Sequence, residues 1–113
     1  MKAVVRETGV VLAREVELAQ SFKQRLVGLM FRKSLPAGAA LLLDPCNMVH
    51  TCFMRFNMDA LFLDKDGQIL HVTENMKPWR QSPLVWGAKT TLELPGGALD
   101  GRVEKGQHVV FEK

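Results

Sequence analysis

Turn-forming residues cut this chain of 113 residues into apolar runs that suit short strands better than long helices. Thr8-Gly9, Asp44-Pro45, Asp64-Lys65-Asp66-Gly67, Pro95-Gly96-Gly97 and the stretch Val103-Glu104-Lys105-Gly106-Gln107 each interrupt an apolar segment. Their spacing, roughly every 8–12 residues, is that of a β-sandwich or barrel. The runs predicted as strands are Ala3 to Arg6, Val10 to Leu12, Glu15 to Ala19, Ala40 to Leu43, Met48 to Met54, Asp59 to Leu63, Gln68 to Thr73, Val85 to Trp86, Thr90 to Leu94 and His108 to Glu112. Asp64 to Gly67 reads as a tight hairpin turn. Asn75 to Ser82 reads as a loop.

One segment breaks the pattern. Ser21 reads as a helix N-cap, with Gln24 three residues on completing a capping box. The helix is expected from Phe22 to about Met30, ending near Arg32 before Leu35-Pro36-Ala37-Gly38. Phe22, Leu26, Leu29 and Met30 fall on one stripe, which predicts a buried face. The expected fold class is therefore mainly β, a β-rich α+β chain. It is a compact β-sandwich or distorted barrel with one α-helix packed on it, in a single domain over residues 1–113. No repeat or linker divides it.

Composition narrows the function classes. Fifteen Lys and Arg stand against twelve Asp and Glu, and the basic residues are interleaved with acids, as Lys2, Arg6 and Arg14 are with Glu7, Glu15 and Glu17. No basic run forms a nucleic-acid patch. The first residues turn polar too soon for a signal peptide, and the longest apolar run, Ala37 to Leu43, is too short to span a bilayer. A cytoplasmic location without membrane association is expected. The two cysteines, Cys46 and Cys52, do not make a disulfide framework. They are open to reading as half-buried thiols, as a local disulfide, or as metal or redox groups. No metal site or cofactor is expected, because the spacing fits no common ligand pattern. Gly96-Gly97 lacks the Lys-Ser or Lys-Thr of a phosphate loop.

The densest chemistry lies in His50-Thr51-Cys52-Phe53-Met54-Arg55-Phe56-Asn57-Met58-Asp59. Ionisable groups in an apolar segment call for partners, because burying an unpaired charge is costly. On a regular strand His50, Cys52 and Met54 face one way and Thr51, Phe53 and Arg55 the other. A bend near Phe56-Asn57 would bring Arg55 and Asp59 together. They then form either a structural salt bridge or an anion anchor, with Asp59 holding the guanidinium. Arg32 is a second anion contact or an exposed arginine at a helix C-terminus. His50 is a core histidine, a ligand or acid–base group, or a metal ligand. Trp79, after Pro78 on a loop, walls a pocket or caps the core edge.

The chain resembles the domain-of-unknown-function 192 family, the uncharacterised ACR family. The resemblance rests on Gly28-Leu29-Met30-Phe31-Arg32, on Val49 to Phe56 and on Met58 to Asp64. Leu92-Glu93-Leu94-Pro95-Gly96-Gly97 and Val103 to Gln107 add to it. It implies a small β-sandwich-like or barrel-like fold with a helix, and supplies no substrate, cofactor or catalytic residue. Relatives often carry Pro where Asn57 stands, and an aromatic or small residue where Cys52 stands.

The leading functional expectation is a binding module for a small polar or anionic ligand, with Arg32, His50, Thr51, Arg55, Asp59 and Trp79 as ligand-binding candidates. The alternatives are a hydrolase or transferase using His50 as general base, and a structural or partner-binding protein with no small-molecule site.

Overall fold

The computed structural model describes all 113 residues. Eight strands form two sheets: β1 (Lys2–Val5), β2 (Val11–Ala13), β3 (Glu15–Ala19), β4 (Ala39–Leu43), β5 (Met58–Leu63), β6 (Ile69–Met76), β7 (Thr90–Pro95) and β8 (Val109–Glu112). A three-stranded sheet runs β2-β1-β8 and a five-stranded sheet runs β3-β4-β7-β5-β6. They do not close into a barrel. All pairings are antiparallel except β3 with β4, which are parallel because the chain crosses over through the single helix α1 (Phe22–Val27). No helix is long and apolar enough to cross a membrane.

The five-stranded sheet is covered on both faces. Every residue of β5 is buried. On one face Ala40, Leu42, Leu61, Leu63, Leu92 and Leu94 pack against Ala3, Val5, Leu12 and Val109 of the smaller sheet. On the other, Leu41, Leu43, Met58, Ala60 and Phe62 join Leu29, Leu35, Val49 and Met54, which come from loops. Strand alternation therefore sorts side chains between two cores rather than between core and water.

Several boundaries differ from the sequence expectation. The capping box is present: Ser21 Oγ accepts the Gln24 amide at 3.0 Å, and Gln24 Oε1 accepts the Ser21 amide at 3.2 Å. The helix stops early, however, at Val27. Gly28 takes φ 49° and ψ −121°, a conformation that ends the helix while its N–H still donates to Gln24 O. The expected stripe is not a buried face: no residue of α1 is buried, and Phe22 is 74% exposed. Leu29 reaches the core only because it lies beyond the helix.

Met48 to Met54 is not a strand. It is an irregular segment whose only ladder contact is the bridge His50–Gln81. Its buried residues are Val49, Thr51 and Met54, so strict alternation fails, and Phe53 adopts φ 62°. Val85 and Trp86 also lie in a loop, with the Val85 amide bonded to Asn47 O. Both cysteines are free and half-buried.

Candidate functional site

Between α1, the segment Pro45–His50 and the outer face of the five-stranded sheet lies a cavity of about 280 Å³. Its walls are largely apolar, including Leu26, Leu29, Met30, Leu43, Val49 and Met54. At its base stands Glu93, in the middle of β7, where Leu41 and Ala60 are its cross-strand neighbours. Glu93 is 4% exposed, and its Oε1 is buried with no hydrogen-bond partner. Burial pushes its carboxyl up to about 8, with Arg32 pulling weakly the other way. Near neutral pH it is a buried, protonated acid facing an apolar space.

The surrounding polar groups are occupied elsewhere. Arg25 donates from Nε to Gln20 O at 3.3 Å and from Nη1 to Pro45 O at 3.2 Å. Cys46 donates from Sγ to Met48 O at 3.2 Å, and burial pushes its thiol up, away from the thiolate. His50 lines the same cavity, and its Nδ1 accepts the Cys52 amide at 3.2 Å.

The other sequence candidates are dispersed. Asp59 is fully buried but does not meet Arg55. Its Oδ1 accepts the amides of Asn75 at 2.8 Å and Gly97 at 3.1 Å, and its Oδ2 accepts that of Leu99 at 2.9 Å. It fixes the turn after β7 on the β5–β6 hairpin. At the same turn a Cβ on Gly96 would come 2.8 Å from that of Asn57, so the chains meet only because that position is glycine. Arg55 is exposed and makes no side-chain hydrogen bond or ion pair. Thr51 is fully buried; its hydroxyl donates to Lys77 O at 2.6 Å and accepts the Arg80 amide at 2.8 Å. Arg32 lies in a second groove across α1, bridged to Glu17 at 3.0 Å. Trp79 stands apart, packed edge-on against Phe53 at 4.7 Å, with Phe31 5.3 Å beyond Phe53. All three aromatics adopt positive φ, between 62° and 66°, which is rare for bulky residues.

Of the six candidates only His50 lines the cavity, and the acid at its base was missed. In sequence Glu93 reads as the solvent face of an alternating strand. What covers that face is the helix–loop segment, a tertiary fact.

Residues 3–111 match the profile of a family described as DUF192, uncharacterized ACR. The chain belongs to the DUF192 family. Among curated proteins it is 32% identical over 105 residues to a UPF0127 protein of Pyrococcus furiosus, covering 88% of each chain. A UPF0127 protein of Pyrococcus abyssi is 32% identical over 88 residues, 74% of this chain and 73% of that one. Among solved structures, a Sinorhizobium meliloti protein provisionally named as a transcription regulator superposes with TM-score 0.79 at 26% identity. That likeness covers 96% of this chain and 89% of that one. A Novosphingobium aromaticivorans protein of unknown function superposes with TM-score 0.78 at 20% identity, covering 98% and 93%. In this DUF192 chain, three of the segments that carry the family resemblance meet at the cavity. Gly28, Leu29 and Met30 come from the first, Val49, His50 and Met54 from the second, and Glu93 from the third.

Proposed function

We propose that this chain is a binding module for a small polar ligand, seated beneath α1 with its polar end on Glu93. The observation that carries the reading is the Glu93 carboxyl, buried and unpartnered at the base of an open cavity. An unsatisfied buried polar group costs about 1–3 kcal/mol, and leucine at that position would fit its neighbours Leu41 and Ala60. A ligand that satisfies the carboxyl gives that cost a purpose. The cavity volume, about 280 Å³, lies just under the range usual for drug-sized ligands and suits a smaller one. The acid at the base argues against an anionic ligand. General-base catalysis by His50 has less support, because its Nδ1 already accepts an amide and Cys46 is held as a thiol.

The test is a small-molecule screen read by thermal shift and by the methyl resonances of Met30 and Met54. Binders are expected to move those methyls and to leave Val103, in the opposite core, unmoved. Binders that act elsewhere would remove the cavity from consideration.

A further inference from the structure

We infer that the cavity's ligand is an amine, with its ammonium ion-paired to Glu93 and its hydrocarbon part lying along Leu26, Leu29, Leu43 and Met54. This rests on the reading of the cavity as a binding site.

The first support is the set of charges around Glu93. One arginine, Arg25, lines the cavity with Glu93, and a second, Arg32, acts on its carboxyl from the groove across α1. The fold commits Arg25 to the carbonyls of Gln20 and Pro45, and Arg32 to Glu17. From the facing segment come Asn47, Cys46, a thiol bonded to Met48 O, and His50, whose Nδ1 holds the Cys52 amide; none of them carries a fixed positive charge. Neither arginine hydrogen-bonds or ion-pairs with the buried Glu93 carboxyl. Near neutral pH such an acid ionises only when a cation pairs it, and that cation then comes from the ligand.

The second support is the lining. Met30, Met48 and Met54 present polarisable thioethers and no competing anion. Such walls suit the alkyl chain of an amine, and the buried acid among them disfavours a carboxylate or phosphate.

Binding then has a defined proton balance. The amine arrives as an ammonium ion and Glu93 as a carboxylic acid. Glu93 loses its proton to solvent, and the resulting carboxylate pairs with the ammonium. No covalent bond between heavy atoms changes. One proton leaves for each amine bound near pH 7.

Calorimetric titration of the whole chain with hexylamine, 1-hexanol and hexanoate, in two buffers of different ionisation enthalpy, tests this. Hexylamine is expected to bind at least tenfold more tightly than hexanol, releasing about one proton, with hexanoate inert. Glu93→Gln is expected to lose at least tenfold in amine affinity and to abolish the proton release. Equal affinity for amine and alcohol, no proton release, or full amine binding by Glu93→Gln would each overturn the amine assignment and leave the cavity reading standing. If none of the three probes moves the Met30 and Met54 methyls, the binding reading falls with it. Should Glu93→Gln fail to fold, proton release by the parent protein decides.

Discussion

Gly28 lies directly over the carboxyl of Glu93: a Cβ on the glycine would stand 3.5 Å from Oε1. One residue ends the helix and the other sits at the centre of a sheet, so their meeting sets the helix end against the acid in the cavity wall. The acid is thereby kept from water without gaining a partner.

Glu93→Leu should therefore stabilise the fold. It removes an unsatisfied buried carboxyl and adds apolar volume beside Leu41 and Ala60. The expected gain is about 1–3 kcal/mol at pH 7 by denaturant unfolding. A loss of similar size would mean that the carboxyl has a partner in the folded state.

Two carboxyls set opposite slopes of stability against pH. Glu93 is raised from 4.5 to about 8 on folding, so the folded chain holds a proton that the unfolded chain releases. Its contribution is complete below pH 4.5 and is lost as pH rises to about 8, at roughly 1.4 kcal/mol per pH unit. Glu7 runs the other way. The His108 amide and ring bond its carboxyl and lower it to about 2, so its contribution is present above 4.5 and lost as pH falls towards 2. Stability should fall as pH rises from 4.5 towards 8, and Glu93→Gln should flatten that alkaline limb. An alkaline limb unchanged in that variant would assign the slope to other groups.

Asp59→Ala should be the most damaging single change in the segment His50–Asp59. It strands three backbone amides, two of them from the turn after β7. The expected loss is about 3–5 kcal/mol, with hydrogen-exchange protection falling at Asn75, Gly97 and Leu99. Arg55→Ala should stay within about 0.5 kcal/mol. Comparable losses at the two positions would restore the Arg55–Asp59 pair.

Phe22→Ser and Leu26→Ser should leave stability within about 0.5 kcal/mol, because both side chains are exposed. Losses above about 2 kcal/mol in thermal unfolding would show that the helical stripe is a buried face after all.

Sequence reasoning succeeded where local chemistry decides and failed where tertiary cover decides. Ser21 and Gln24 mark the helix start, and Asp64 to Gly67 marks the hairpin, because capping and turn bonds lie within a few residues. The helix stripe misled because Gly28 turns the chain before Leu29 and Met30 can extend it. The reading of Met48 to Met54 as a strand failed because its amides bond singly across to the segment from Trp79 to Ser82 rather than along a ladder. Asp59 reads in sequence as the partner of Arg55, whereas in the structure backbone amides hold it and Arg55 does not. Glu93 escaped notice because alternation cannot distinguish a face turned to water from one roofed by a distant helix.

The state of the Glu93 carboxyl decides what the cavity can hold, and its ionisation can be followed directly. A ¹³C NMR titration of the Glu93 side-chain carboxyl should show it losing its proton near pH 8. Titration near 4.5, the ordinary value, would contradict the account, since it would show a carboxyl that is solvated or already paired.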